Sequence, residues 1–528
     1  MEDTLHIHRF SARHRVQDAD GQRRALAAQQ ALLDGELEAA LTRLCTGDPI
    51  VLIQRLHTRV RLSAQHADAD NARRWSDALA ASLAHALQHA GPAELQRFAG
   101  RPQALWAFVA DMLNGHTTRD WAWQRLALLP DTLSHSNSAG QRHAALLRLL
   151  ADAPEEGVPL LRSLLHSALW PRLIEALDDG ELRGLTQSVH TRLAGIDAPN
   201  FGAEMAPDAA ALQPAADAAD AADAADGADA TEGASANPQL PDWAAAALQA
   251  ARAPQRSLWA LRLGCMLDAP TLARRGSAAV VARVRAWTAQ APPRVDAAPG
   301  TGAVAVRSVA TESTGTGQVP KWGRRPDHEA AKPLTSVEAG SDADAGSMPT
   351  TVSGHTEHGG LLLLAPLLPA SGALARLDDT SVWPADALPR ALHALALRLW
   401  PLSDVDAAAL AFCGLPPSAK PPLTSPLTSP LTAAQQAALM DARHCLLQHL
   451  AQRLPEDTGS TVPRSADAVA ARALARVVPR RARITADPGW IDVHFSLRDV
   501  STELRRAALD LDPGFLPWLG VVLRYRYE

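Results

Sequence analysis

Apolar and polar side chains alternate in two runs within the last forty residues of the chain. In the first run Ile491, Val493, Phe495 and Leu497 alternate with polar residues, and in the second, over 521–527, hydrophobic residues alternate with Val522 and two arginines. A period of two places one set of side chains on each face of a strand. Both runs are therefore predicted to be half-buried strands, and we expect this C-terminal pair of β-strands to be held in a sheet.

The first ninety residues predict a small β-α-β-α unit, because the spacing of their apolar positions changes between a period of two and that of a helix. Residues 5–16 and 50–62 are predicted strands with a basic face. Residues 20–44 and 70–89 are predicted helices, and the first of them is expected to bury one stripe of leucines. The stripe consists of Leu26, Leu33, Leu37, Leu41 and Leu44.

Between the two ends, short amphipathic helices alternate with segments that lack an apolar stripe. Aspartate recurs at every third position from Asp217 to Asp226, and residues 291–358 are rich in glycine, serine, threonine and proline. Such segments bury too little apolar surface to fold, so we expect disordered linkers. The predicted fold class is α+β, predominantly α-helical, with irregular helical modules between the linkers. The predicted units are an N-terminal α+β and helical domain (1–200), an acidic Ala/Asp linker (205–241), a helical segment (242–290), a disordered linker (291–358), a helical module (359–414), a proline-rich spacer (415–431), and helices followed by C-terminal β-strands (432–528).

Length and charge narrow the class of protein. A chain of 528 residues is too long for one core and predicts about two to four folded units. The net charge of −6 does not point to a polyanionic partner, so no nucleic acid is expected. The N-terminus lacks the features of a secretory signal, and the longest apolar run, 361–368, is broken by Pro366 and too short to span a bilayer. We expect a cytoplasmic protein without a membrane-spanning segment.

Signatures of enzymes are missing from the sequence. It contains no Gly-x-Ser-x-Gly motif, no CxxC pair and no Rossmann fingerprint. Cys45, Cys265, Cys413 and Cys445 are far apart, which predicts reduced thiols rather than a disulfide framework or a zinc site. We therefore predict a protein that is not an enzyme, with no catalytic, cofactor-binding or metal-binding residues and no cofactor.

Two histidine pairs are the nearest approach to a metal motif. His6 and His8 share one face of a predicted strand, which allows a metal site, but no further ligand follows at a suitable spacing and a plain sheet face is the favoured interpretation. His355, Glu357 and His358 resemble half of a zinc motif, but they fall in the predicted linker and are expected to be solvated polar chain.

Residues 315–321 resemble a phosphate-binding loop only superficially, because Lys321 does not follow the last glycine and no Ser or Thr comes after it. Asp510 and Asp512 offer two carboxylates to a cation, but a calcium loop requires more oxygens at alternating positions. The favoured interpretation is a turn that Asp512 initiates and Gly514 closes.

Aromatic and basic residues near the C-terminus suggest a contact surface. Trp490 and Trp518 could form an aromatic cage, although core positions are the favoured interpretation. Several arginines surround an apolar edge, and they are expected to form either a solvated face or the rim of a protein–protein interface. These arginines are Arg480, Arg481, Arg483, Arg505 and Arg506.

Three stretches of the sequence have distinctive patterns of apolar and small residues. The first is the N-terminal unit, the second an apolar helix that ends in Gly115 with a tryptophan shortly after it, and the third a glycine pair before an apolar run broken by proline. The residues that carry these patterns are Gln29, Leu33, 56–62, 105–115, Trp121 and 359–368. These stretches resemble the tape measure family of extracellular contractile injection systems. Residues 512–520 are similar to the ending of other proteins of such gene clusters.

The resemblance implies a non-enzymatic structural or assembly component of a phage-tail-like particle, with tube or baseplate components as its partners. A ruler is best built as one continuous helix, which rises about 1.5 Å per residue. This chain is interrupted by three spacers, so two roles stay open for it, that of the ruler itself and that of an accessory assembly factor. The alternative is a cytoplasmic helical scaffold or adaptor that binds protein partners outside any particle.

Overall fold

The computed structural model describes residues 7, 10–16, 18–37, 50–63, 65–131, 133, 138–194, 240–251, 253–288, 351–384, 386–422, 430–454, 465–487 and 489–528. Within these ranges the chain is predominantly helical and contains a two-stranded and a five-stranded sheet. The predicted class, α+β with a majority of helix, is confirmed. Residues 205–239 of the predicted acidic linker, 291–350 of the second linker and 423–429 of the spacer lie outside the described residues.

The N-terminal unit packs two helices and a short sheet around a small core. The core residues Leu32, Leu37, Ala72, Trp75 and Leu83 are buried. The sheet is an antiparallel ladder of four residue pairs between its two strands. The elements are α1 (Ala19–Ala31), a π-helical segment (Leu32–Glu36), β1 (Ile50–Ile53), α2 (Asp68–His89) and β2 (Leu95–Phe98).

The strands predicted for this unit are corrected by the structure. Residues 10–16 are not part of a ladder, and they are held instead by side chains: the ring of Phe10 lies 6.1 Å from that of Trp75, and His14 bonds to Gln29 at 2.9 Å. The strand predicted over 50–62 ends at Ile53, because its partner β2 is only four residues long.

The leucine stripe predicted for the first helix is only partly buried. Leu26 and Leu33 are 52% and 46% exposed, whereas the buried positions are Ala28, Leu32 and Leu37. The buried residues are spaced by four positions, from Ala28 to Leu32, and then by five, from Leu32 to Leu37. The π-helical segment adds one residue to a turn and so keeps Leu37 on the buried face. Two of the remaining predicted positions, 41 and 44, lie outside the described residues.

A helical unit follows, and its helices on both sides of the gap at 195–239 share one core. Tryptophans fill this core, with Trp123, Trp170, Trp259 and Trp287 almost wholly buried. Proline stands in the first turn of several of these helices, where its missing N–H costs no hydrogen bond. The helices are α3 (Arg101–Asn114), α4 (Asp120–Arg125), α5 (Ser138–Asp152), α6 (Pro154–Leu165), α7 (Leu169–Ala176), α8 (Asp179–Ala194), α9 (Asp242–Ala250), α10 (Pro254–Asp268), α11 (Pro270–Arg274) and α12 (Ser277–Thr288).

The C-terminal unit combines helices with the larger sheet. Its strand order is β3-β4-β5-β7-β6, in which β5 and β7 are parallel and the other neighbours are antiparallel. The predicted C-terminal strand pair is β5 and β7, so that prediction is confirmed and the sheet extends beyond it. The elements are β3 (Val352–Thr356), a 3-10 helix (Gly359–Leu364), α13 (Leu367–Ala370), α14 (Ala373–Leu377), α15 (Leu388–Leu399), α16 (Ala407–Phe412), α17 (Ala433–Arg453), α18 (Ala466–Val477), β4 (Ala482–Asp487), β5 (Trp490–Phe495), α19 (Thr502–Arg506), β6 (Gly514–Leu516) and β7 (Val521–Tyr527).

The apolar run after the second linker forms the buried 3-10 helix, which the pattern alone could not assign. Gly359 and Gly360 let it approach the rest of the unit, because a Cβ at either position would collide with Ala482 or with the Val477 carbonyl. Tyr525 donates its hydroxyl hydrogen to the Leu362 carbonyl at 2.9 Å. The linker predicted over 291–358 does not reach its predicted end, since strand β3 occupies 352–356.

The second face of the large sheet is covered at one end by the helical unit. Trp490 and Val522 belong to the core of that unit rather than to the core of the C-terminal unit. Gly489 lies directly against Pro159 of α6, and Arg162 of the same helix donates to the Leu519 carbonyl. The two units therefore share a packed junction, and the rest of this sheet face remains open.

Candidate functional site

The histidine pair and the glycine-rich segment singled out in the sequence cannot be placed. His6, His8 and residues 315–321 lie outside the described residues. Among the side chains that the structure describes, no group of three or more His, Cys, Asp or Glu residues is arranged to hold a metal ion. The prediction for His6 and His8 therefore stays a prediction.

The His355–His358 stretch is a structural connection, so the expected solvated chain is wrong here. Thr356 is buried at the end of β3, and its hydroxyl donates to Asp406 Oδ1 at 2.9 Å. The same hydroxyl accepts the backbone N–H of His358 at 3.0 Å. Asp406 also caps α16 by accepting the backbone N–H of Ala408 at 2.8 Å. This network fixes β3 to α16, and its carboxylate is already occupied.

Asp510 and Asp512 each serve the fold rather than a shared cation. Asp510 is buried and accepts from Arg505 Nε at 3.0 Å. Asp512 accepts the backbone N–H of Tyr525 at 2.9 Å, and its burial raises the pKa of its carboxyl group. Asp512 therefore contacts β7 instead of initiating the expected turn. Gly514 has a φ of +68°, a backbone conformation that glycine adopts readily.

The two tryptophans and the arginines do not converge on one site. Trp490 is buried against the helical unit, whereas Trp518 is half-buried against the core of the C-terminal unit. Arg480 donates to the carbonyls of Arg476 and Val477, which satisfies the end of α18. The remaining arginines of the set contact separate carboxylates, Arg481 with Glu357, Arg483 with Glu528 and Arg505 with Asp510, and Arg506 is exposed.

The open part of the large sheet carries a continuous polar surface. Arg524 makes a bidentate pair with Asp492, at 2.7 and 2.9 Å. The ring of His494 forms one hydrogen bond with Thr485 Oγ1 at 3.1 Å and a second with the carboxylate of Glu528. The bond between His494 and Glu528 is the largest of the effects that lower the pKa of the Glu528 carboxyl group. We call this surface the polar sheet face; it consists of Arg483, Thr485, Asp492, His494, Arg524, Arg526 and Glu528.

Sequence reasoning found part of this face and missed its extent. The alternation in β5 and β7 correctly placed Asp492, His494 and Arg524 on the face away from the core. Thr485 was missed because β4 was not predicted, although Ala482, Ile484 and Ala486 alternate there. Within the polar sheet face Arg483 and His494 contact Glu528, and Arg524 is paired with Asp492.

Two of the described cysteines, Cys265 and Cys413, are poor nucleophiles. Cys265 and Cys413 are buried, and burial raises the pKa of each thiol to about 12. Cys445 is a free, half-buried thiol. A thiol with so high a pKa carries almost no thiolate near neutral pH, so neither Cys265 nor Cys413 is suited to attack a substrate.

Comparison with known proteins assigns no family. No family model matches the sequence, and no curated protein and no solved structure matches it either. Across the helices that the structure describes, none combines the length and the apolar character needed to cross a bilayer.

Proposed function

We propose that this chain is a non-enzymatic structural or assembly component of a contractile, phage-tail-like injection particle. The observation that carries the proposal is the place of the resembling stretches in the fold. Residues 105–114 form most of α3, with 105, 106 and 108–111 buried, and 359–368 form the buried 3-10 helix and the start of α13. These are packing residues, so the resemblance concerns a folded body and its surfaces rather than a reactive centre.

The described fold supports an accessory assembly factor more than an extended ruler. The longest described helix, α2, has 22 residues and therefore spans about 33 Å. The other helices are shorter, and all of the described α-helices among them except α1 pack into two large cores. A body of this kind presents surfaces of fixed shape, and the polar sheet face is the surface through which we propose that it contacts tube or baseplate components.

The second candidate is a scaffold or adaptor that works outside any particle. The paired charges of the polar sheet face favour it as much as the first, because such a surface suits many protein partners. The genes beside this one separate the two candidates. Sheath, tube and baseplate genes support the particle, whereas an unrelated operon supports the adaptor.

Complementation of a gene deletion tests the non-enzymatic role. His6→Ala and His8→Ala should restore particle assembly fully, because the proposal gives these side chains no chemistry. Asp492→Arg, which places like charges opposite Arg524, should impair assembly while the circular dichroism spectrum is retained. Loss of assembly in a folded His6 or His8 variant would contradict the proposal and favour a metal site.

Deletion of residues from the predicted linker, within 291–350, distinguishes a ruler from an accessory factor. A ruler predicts particles that shorten in proportion to the residues removed, and an accessory factor predicts unchanged length. Particle lengths measured by negative-stain electron microscopy decide between them.

A further inference from the structure

Residues 55–62 have the side-chain pattern of a strand but belong to no sheet. Leu56, Thr58, Val60 and Leu62 are half-buried, and the apolar three pack against the N-terminal core. The residues between them point outward and are exposed. We call 55–62 the acceptor segment and its outward side chains the basic row, which consists of Arg55, His57, Arg59 and Arg61.

The backbone of the acceptor segment is unpaired within the described residues. The ladder of β1 ends at Ile53, and the next backbone bond joins Gln54 N–H to the Glu94 carbonyl at 2.8 Å. From residue 55 to residue 62 no N–H or C=O is bonded to any group that the structure describes. The hydroxyl of Thr58, in the middle of the segment, is buried and also lacks a partner. A buried hydroxyl is normally satisfied, so Thr58 marks a place where the segment lacks a partner.

The basic row is also unneutralised. Within the described part of the chain no ion pair includes Arg55, Arg59 or Arg61. The row itself contains no carboxylate. An alternating row of cations on a strand is complementary to carboxylates at the facing positions of a neighbouring strand, where opposite charges attract and like charges repel.

A cleft leaves room beside the acceptor segment. It has a volume of about 480 Å³ and lies between Arg55 and His57 on one side and the end of α2 on the other. His85 and His89 line the α2 side, and their rings are stacked with centroids 4.4 Å apart. The first three residues of the segment, 55–57, therefore border open space where another chain can enter.

We propose that the acceptor segment binds one extended segment of a partner protein, a strand that alternates apolar and acidic residues. The backbones would pair as a ladder, the apolar residues would extend the N-terminal core, and the carboxylates would face the basic row. A nucleic acid would neutralise the arginines but leave Thr58 and the backbone unpaired. None of the described strands of this chain alternates acidic and apolar residues, so these strands of a second copy do not supply the pattern.

This proposal deepens the proposed function by giving the chemistry of one partner, and its test uses the purified full chain alone. The outcome is therefore independent of whether a particle is affected by deletion of the gene. The probe is a capped, fluorescent nine-residue peptide that alternates glutamate and valine, with binding measured by fluorescence anisotropy. We expect saturable binding that weakens as salt is added.

Methylation of the peptide nitrogens distinguishes strand pairing from charge attraction. In a ladder only alternate N–H groups face the partner strand, so methylation of one alternate set should weaken binding at least tenfold and methylation of the other set by less than threefold. Equal effects of the two sets, no binding of the parent peptide, or equal binding of a lysine–valine peptide would each overturn the proposal. A different result would overturn it in favour of a polyanion site: a single-stranded oligonucleotide displaces the peptide, and N-methylation of the peptide does not change its binding.

Charge reversal in the basic row gives the matching test on the protein. Arg59→Glu and Arg61→Glu should each weaken peptide binding roughly tenfold, because an attraction becomes a repulsion. Arg73→Glu is the control, since Arg73 is exposed on α2 beside Asp70 and outside the row. The three variants should unfold at the same urea concentration. An equal loss of binding in the control would refute the role of the row.

Discussion

Replacement of Gly489 by alanine should weaken the junction between the large sheet and the helical unit. Gly489 has a φ of +87°, and a Cβ there would lie 2.5 Å from the Pro159 carbonyl oxygen and 2.7 Å from its Cα. Both are backbone atoms within α6, so they cannot move aside as the end of a side chain can. The left-handed φ costs about 1–2 kcal/mol for alanine and the overpacking about 1–3 kcal/mol, for a total of about 2–5 kcal/mol.

A second glycine separates the two contributions. Gly276 has a similar φ of +91°, but a Cβ there would meet nothing within 4 Å. Gly276→Ala should therefore lose only the backbone part, about 1–2 kcal/mol. Urea unfolding followed by tryptophan fluorescence measures both losses, and Trp490 lies in the junction itself. Equal losses in the two variants would refute the packing of the sheet against α6.

Two further predictions concern stability. Burial lowers the pKa of His190 to about 4, so between pH 6.5 and pH 4 the unfolded chain binds a proton that the folded chain does not. The free energy of unfolding should therefore fall by up to about 3 kcal/mol as the pH is lowered over this range. Urea unfolding at pH 7 and pH 5 should show a smaller fall in His190→Gln than in the wild-type protein. An identical fall in both proteins would contradict this origin. Truncation after Asp510 removes β6 and the interior strand β7, and with them six large buried side chains, Leu516, Leu519, Val521, Val522, Leu523 and Tyr525. At about 1.5–3 kcal/mol for each side chain the loss is about 9–18 kcal/mol, against about 5–15 kcal/mol for the stability of a typical domain, so the C-terminal unit should unfold. An unchanged melting temperature would refute this prediction.

The parts of the fold that depend on local periodicity were predictable from the sequence. The helix predicted over 70–89 is α2, and the alternation near the C-terminus predicted β5 and β7. The first of these strands was predicted too long, because β5 ends at Phe495 and Leu497 lies outside it with 64% of its surface exposed. The pairing partners were not predictable in this way. β3 and β4 are separated by more than a hundred residues along the chain, and no local pattern links Ser353 to Thr485, although they are paired in the sheet.

The features that sequence reasoning missed arise from contacts between distant residues. The burial of both Leu32 and Leu37 depends on the π-helical segment, which changes the helical period between them. The role of Gly360 depends on the Val477 carbonyl, which lies in another helix. The acceptor segment was predicted as part of a strand over 50–62, because its side chains alternate. The ladder ends at Ile53 instead, because β2 pairs only four residues, and the pattern within 50–62 does not reveal the length of its partner.

The most direct test of the central claim is the assembly of particles in cells that lack this gene. Intact particles are counted and their tube lengths measured by negative-stain electron microscopy, with and without the wild-type gene supplied in trans. The account predicts that intact particles are absent, or that their tubes vary widely in length, and that the supplied gene restores both number and length. Particles of normal number and uniform length in the deletion strain would contradict it.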